Sequence, residues 1–502
     1  MNRLIIDPLH QLNPISRDLL GHFVEQVPGN IPQGIYHPSH PYSDEDGFRT
    51  DLLEVMREVH VSQLRWAGNF SSTYHWMDGV GPRNQRPFLR NAAWQTTEDN
   101  AFGTAEFIKL CRKLNAEPVI GVNMGSGTAE EAMNWVEYCN GTGNTRFAQL
   151  RRNHGYSDPF HVRRWCLGNE MYAAWQFGHM DAAEYALQAE RFATAMRLAD
   201  PDIHLTAVGL ETDPQWNWEV IKRLSTPKTR FQPGEWINAL SAHYYPIGCA
   251  GGFENADYKT RTSLGAFFHE RSVLMRNTIQ AASNDAQSPV KVVWDEWNPM
   301  GDRDGTEFTL EMALWVSLIL QSFIRDSAFV DAANYTFFIG GNGPIQPTAH
   351  GNILRHAEYY ALKLYGDLLG DYLLSCHAEV PIQSVKMPMD RRWPQANQPL
   401  YRLRKIPLID TVATVSKEQC SVFCINLDEK QNLPLKIILS QNAEQYSHIT
   451  IRTLWHSDLH ARNTENDPNR VSLSEQKLPM SQKSLVLSLP CHSLTAVTFW
   501  KK

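Results

Sequence analysis

Between about residues 16 and 370, short apolar runs alternate with longer segments in which apolar residues recur every three or four positions. Buried strands and amphipathic helices produce that alternation, and their regular succession predicts parallel βα units. Eight runs qualify as strands: 19–25, 61–66, 117–123, 162–168, 205–211, 239–245, 290–296 and 332–338. Several are almost continuously apolar, VKVVWDE at 290–296 most clearly, as strands covered on both faces should be. Segments 104–114, 128–138, 181–198, 264–281 and 307–324 carry the helical spacing, and Pro201 follows the third of them as a stop. Eight such units predict an α/β fold, a (β/α)8 TIM barrel spanning 16–370. A doubly wound open sheet is the alternative, but no G-x-G-x-x-G follows the first strand.

Beyond residue 371 helical periodicity disappears. Strand-like pieces at 411–415, 419–426, 436–439, 449–454, 484–487 and 495–500 are separated by Asn, Asp, Ser and Pro. This predicts a C-terminal β-sandwich domain over 371–502. The short apolar run Leu4-Ile5-Ile6 precedes the barrel, and residues 1–15 are expected to add a strand to that distal domain.

Composition narrows the function. Of 502 residues, 42% are hydrophobic and 20% charged, which excludes a disordered chain. The formal net charge is −7 and no polybasic run occurs, so neither nucleic acid nor an anionic membrane is an expected partner. No apolar stretch is long enough to span a bilayer. The eight cysteines form no C-x-x-C pair, and Asp7-Pro8 end the first apolar run. The expectation is a cytoplasmic protein with free thiols. The 15 Trp and 17 Tyr suit either a core or a sugar-binding cleft.

Barrel enzymes work at the C-terminal ends of their strands. Here those ends carry Glu25, then Arg65-Trp66-Ala67-Gly68-Asn69, Asn169-Glu170, His243-Tyr244-Tyr245 and Asp295-Glu296-Trp297. A lone Glu after a strand is usually a helix cap or a solvated side chain. Five strand ends supplying carboxylate, amide, imidazole, guanidinium and aromatic groups together are harder to dismiss. Glutamates on strands four and seven can face each other across the barrel mouth, the minimal equipment for glycoside hydrolysis. One must hold a proton while the other stays ionised, and burial beside Trp or mutual repulsion would separate them. No H-E-x-x-H, zinc spacing or Walker loop is present, and Ser126 lacks the glycines of a nucleophile elbow. No cofactor or metal is expected.

The chain resembles glycoside hydrolase family 51, the retaining α-L-arabinofuranosidases. The resemblance rests on GHFVEQ (21–26), GIYHP (34–38), NFSSTYHWMDGVGP (69–82), WQTTEDNAFGTAEF (94–107), WCLGNEMYAAWQFGH (165–179), SAHYY (241–245) and VVWDEWN (292–298). It implies that Glu170 is the general acid/base and Glu296 the nucleophile. It implies that Asn169 holds the sugar 2-hydroxyl and that Glu25, Arg65 and Asn69 line the furanose pocket. His243 and Tyr245 would sit beside the nucleophile, with Trp94 and Trp297 as walls near the leaving group; Trp66 and Trp76 would flank the pocket more loosely. The family's Arg-Tyr-Pro-Gly-Gly-Asn is one residue shorter here and lacks the proline, and Asn334 stands near the place of a sugar-facing Gln on strand eight. The implied activity is exo-release of terminal arabinofuranose from short arabinose-containing oligosaccharides. An endo-glucanase or another furanosidase or xylosidase-like activity on the same scaffold is the alternative, and a non-catalytic sugar-binding protein a more remote one. The resemblance also implies homo-oligomers, often hexamers.

Overall fold

The computed structural model describes residues 1–225, 236–248, 252–300, 306–348, 351–386, 403–480 and 483–502. Cys249, one of the eight cysteines, lies outside them.

Eight parallel strands close into a barrel: β1 (Gly21–Val24), β2 (Gln63–Trp66), β3 (Glu117–Gly121), β4 (Arg164–Leu167), β5 (His204–Ala207), β6 (Ala239–Tyr244), β7 (Lys291–Trp297) and β8 (Val330–Tyr335). Each of the eight expected runs contains or overlaps one of them. Strand residues are buried almost throughout, because side chains on one face fill the barrel and those on the other meet the helices. The helices start where polar caps allow. Asp181, Thr128 and Thr309 each accept a bond from a backbone N–H in the first turn that follows.

Strand β7 departs from simple alternation. Val293 pairs with Ser241 and Glu296 with His243, so two residues of β7, Trp294 and Asp295, stand against Ala242 alone. The same surplus appears against β8, where Trp294 pairs with Ala333 and Trp297 with Tyr335. This bulge resets the phase of the strand. Val293 packs with Ala239 and Ala332, while Trp294 stacks with Phe323 of the helix Leu310–Arg325. Asp295 and Glu296 then both reach the cluster at the barrel mouth, and Trp297 turns outward.

The described C-terminal part is built on one nine-stranded sheet, with a separate two-stranded hairpin of Ile382–Lys386 and Leu403–Pro407 beside it. The order of the large sheet is Leu473–Pro479, Tyr446–Leu454, Ser493–Lys501, Gln419–Asn426, Ile409–Val415, Tyr372–Glu379, Asn2–Pro14, Leu433–Leu439 and Ser484–Leu489. Residues from both ends of that order, Ile449 and Phe499 on one side and Leu435, Ile437 and Leu489 on the other, share a single apolar cluster, so the sheet curls around its own core. Asn2–Pro14 runs antiparallel to Tyr372–Glu379 and parallel to Leu433–Leu439, with Leu4 and Ile6 fully buried. The outer face meets the barrel helices, where Tyr365 stacks on Phe423 with ring centroids 4.5 Å apart.

Candidate active site

The site forms where β1, β2, β4, β6 and β7 end. A cavity of about 420 Å³ opens there, walled by Glu25, Asn69, Glu170, Tyr245 and Glu296 and by the rings of Phe23, Trp94, Trp175 and Phe337. Beyond β4 the backbone turns sharply: Gly168 and Glu170 both have positive φ, +83° and +44°. The left-handed conformation is costly for a non-glycine residue and is held here by the bonds that Glu170 makes. Trp175 Nε1 donates to Glu170 Oε2 at 2.8 Å, and Tyr172 Oη donates to Oε1 at 3.3 Å.

Glu296 faces it from β7. Arg65 Nη1 donates to Glu296 Oε1 at 2.7 Å and Tyr245 Oη to Oε2 at 2.8 Å. Ligand atoms of Glu170, His243 and Glu296 lie within 4.8 Å of one another. The strand register explains the imidazole's place, since His243 stands directly opposite Glu296. His243 Nδ1 lies 3.1 Å from Glu170 Oε1 and 3.5 Å from Glu296 Oε2, and Nε2 lies 2.7 Å from Asp295 Oδ1. Burial works against a charged imidazole, but the Glu296 and Asp295 carboxylates outweigh it and hold the His243 pKa well above its usual range. Asp295 is likewise burdened by burial, yet Arg65 and His243 keep its pKa below the ordinary carboxylate value.

Glu25 floors the cavity. Burial, reinforced by the Glu296 charge, pushes its pKa up to about 8, against the bonds it accepts from Trp94 Nε1 at 2.9 Å and Phe70 N at 3.3 Å. A hairpin of Leu89–Asn91 and Thr96–Glu98 carries Trp94 to this place.

Comparison with known proteins gives this arrangement a family. The description "Alpha-L-arabinofuranosidase 1 domain" matches residues 55–249, and "Alpha-L-arabinofuranosidase C-terminal domain" matches 292–493. The chain is 32% identical to α-L-arabinofuranosidase C of Emericella nidulans over 446 residues, 86% of each chain. The chain belongs to the α-L-arabinofuranosidases of glycoside hydrolase family 51. It is also 29% identical to the intracellular exo-α-(1→5)-L-arabinofuranosidase 1 of Bacillus subtilis, over 96% of each chain. Among solved structures, the family 51 α-L-arabinofuranosidase of Thermotoga petrophila superposes with a TM-score of 0.87 at 32% identity, covering 99% of this chain and all of that one.

In this family 51 glycoside hydrolase, four residues expected around the sugar do not border the cavity. Arg65, at 1% exposure, lies behind the carboxylates, joined to Glu296, to Asn169 Oδ1 at 2.8 Å and to Asp295 at 3.0 Å. The shortened Arg65–Asn69 segment still lets Asn69 reach the cavity, because Gly68 takes a φ of +108°. Asn169 and His243 are buried in the same layer as Arg65. Trp297 is a correction: strand alternation after the bulge turns it onto Phe323 and Tyr335, away from any leaving group. Trp66 and Trp76 belong to the aromatic core around Trp135. Asn334 lies deep in the barrel, accepting from Gln63 Nε2 at 2.8 Å; Thr336 and Phe337 are what the end of β8 presents to the cavity.

The residues that sequence reasoning missed are Trp175, Tyr172, Asp295 as a partner in its own right, Met300 and Phe337. Trp175 had a signal: a tryptophan five residues after a strand-end glutamate, in a segment without helical spacing, and 54% exposed in the fold.

Proposed function

We propose that this hydrolase is a retaining, exo-acting enzyme that releases terminal α-L-arabinofuranosyl residues from short arabinose-containing oligosaccharides. The observation carrying this reading is the pairing of Glu170 and Glu296 across one small cavity, with approaching atoms inside 4.8 Å. Carboxyl groups about 5–5.5 Å apart leave no room for a water between sugar and base, so the second carboxylate attacks directly. Glu296 is the nucleophile. Arg65 and Tyr245 fix its two oxygens and keep it from rotating. Glu170 protonates the leaving oxygen, and its position beside the exposed Trp175 puts it on the side where a leaving group would stack. Once Glu296 is esterified, Glu170 takes a proton from water and the product leaves with its configuration retained.

Around the sugar, Asn69 and Glu25 offer polar contacts from the wall. Glu25 is neutral over much of the physiological range, so it donates to a ring hydroxyl as well as accepting. Asn169 lies behind that wall, accepting from Arg65 and donating a long bond, 3.5 Å, to Asn69, so it supports Asn69 from the buried side. A volume near 420 Å³ lies at the small end for small-molecule sites, favouring a terminal sugar and part of its neighbour over a long polymer. Free thiols at all seven described cysteines, together with the intracellular Bacillus relative, support action inside the cell on small imported fragments. Assembly into homo-oligomers is proposed from the family resemblance alone.

Glu296→Ala is expected to lower turnover of an aryl α-L-arabinofuranoside by at least about 10⁴-fold, and azide rescue of that variant to yield the inverted glycosyl azide. An inverted sugar from the unmodified enzyme, followed by NMR during the reaction, would refute the retaining mechanism. Aryl furanosides and aryl pyranosides tested side by side separate this activity from an endo-glucanase or a xylosidase.

A further inference from the structure

The bulge in β7 sends two consecutive acids into the site, and the two-glutamate mechanism uses only the second. Asp295 is 2% exposed and touches no cavity surface. It stands 3.0 Å from Arg65 Nε and 2.7 Å from His243 Nε2, and accepts a weak bond from the Cys166 thiol at 3.8 Å. The far nitrogen of the same imidazole meets Glu170 at 3.1 Å and Glu296 at 3.5 Å. With ionised Asp295 against Nε2 and ionised Glu296 near Nδ1, the imidazole satisfies both carboxylates only when both nitrogens carry protons. The charged and titratable groups facing it are Glu170 and the Cys166 thiol from β4 and its end, Asp295 and Glu296 from β7, Arg65 of β2 behind Asp295, and Tyr245 next along its own strand.

We propose that Asp295 is a positioning residue that holds His243 as a permanent imidazolium, whose Nδ1–H turns between Glu296 and Glu170 as negative charge passes from one to the other. This rests on the roles proposed above for the two glutamates. In the free enzyme Glu296 and Asp295 are ionised, Glu170 holds a proton, and Arg65 and His243 are cations, so the cluster is neutral. When Glu296 bonds to the anomeric carbon, the C–O bond to the leaving group breaks and the leaving oxygen takes the Glu170 proton. Glu296 becomes a neutral ester and Glu170 a carboxylate. The cluster stays neutral, one negative charge has moved between two groups that His243 already touches, and no proton has entered or left the imidazole. Hydrolysis of the ester reverses each change, with water supplying the proton that returns to Glu170 and the hydroxyl that leaves on the sugar. A fixed cation between the two carboxylates stabilises whichever is charged, and Asp295 keeps it fixed.

Two measurements test this. With ¹⁵N-labelled histidine, His243 in the unmodified protein should show imidazolium shifts at both nitrogens from pH 5 to pH 8; a neutral imidazole titrating near pH 6.5 would overturn the proposal, whatever roles the glutamates have. In Asp295→Asn, His243 should titrate inside that range. On a 2,4-dinitrophenyl α-L-arabinofuranoside, which needs no acid to leave, kcat should fall about tenfold or more, with its basic limb moved at least about one pH unit lower, while kcat/KM changes about threefold or less. Equal losses in kcat and kcat/KM at every pH would show a merely structural role and refute it. Turnover persisting in Glu296→Ala would instead remove the reading of the glutamates and leave the NMR result standing by itself.

Discussion

Glu25 couples the cavity to pH. Its carboxyl is raised from 4.5 to about 8, first by burial and then by Glu296. The folded protein therefore holds this proton more tightly than the unfolded chain, and folding takes one up between those values. Stability from this group is fullest below pH 4.5 and is lost as pH rises to about 8, a change on the order of a few kcal/mol. Glu25→Gln keeps the shape and the acceptor for Trp94 and Phe70 while removing the charge. Thermal melts from pH 5 to 9 should show a flatter profile for the variant, which should melt about 2 °C or more above the parent at pH 8. A parallel fall of both profiles would mean that Glu25 is not the group responsible. Side chains of this kind differ in how readable they are from sequence. Glu170 and Glu296 follow apolar runs directly, so their place at the barrel mouth is legible. Arg65 and Trp297 are equally close to strand ends and read as sugar contacts, but one lies behind the carboxylates and the other points outward. Trp297 follows a ladder with an unannounced extra residue, which shifts the phase that sets its face. Arg65 instead stands on a strand of unbroken register and is hidden by depth, covered by the carboxylates it binds.

At the scale of elements, strands β1–β8 emerge from apolar runs, and their succession with helices leaves little room for another closed arrangement. The bulge in β7 does not emerge, since VKVVWDEW reads as an unbroken strand and the surplus residue exists only relative to β6 and β8. The hairpin that carries Trp94 is also invisible, being two strands of three residues each. The junction after β2 is the element most exposed to a small change. Gly68 takes a φ of +108°, and a Cβ there would collide with the Glu25 carboxyl. Gly68→Ala should cost about 2 kcal/mol or more of stability through strain and crowding. It should also lower kcat/KM about 100-fold, because Glu25 can relieve the contact only by moving into the cavity. Denaturant unfolding and steady-state kinetics on the same preparation check both effects, and a normal kcat/KM would show that Glu25 is free to move elsewhere.

For the whole molecule, we place the division at 16–370 for the barrel and 371–502 with strand 1–15 for the curled sheet. The helix Leu310–Arg325 shows why these are not independent. Every residue from Leu310 to Ile324 is buried, a pattern that a helix on the outside of a barrel has only when something covers its outer side. The curled sheet does so, through the strands Ile409–Val415, Gln419–Asn426 and Ser493–Lys501. Phe423 and Val412 join the same apolar cluster as the barrel helices. The N-terminal strand closes the loop, since the chain begins in the sheet, builds the barrel and returns to the sheet beside its own first residues. Phe423 is fully buried and stacked on Tyr365, so Phe423→Ala should cost about 3–5 kcal/mol. Because the interface belongs to both parts, the variant should still unfold in one calorimetric transition at a lower temperature, with barrel and sheet melting together. A separate early transition confined to the sheet, leaving activity intact, would show that the barrel stands without it. Residues 16–370 produced alone test the same point from the other side. They expose the outer face of Leu310–Arg325 and are expected to aggregate, whereas a soluble and active fragment would show that the sheet is an appendage rather than the cover of the barrel's most apolar helix.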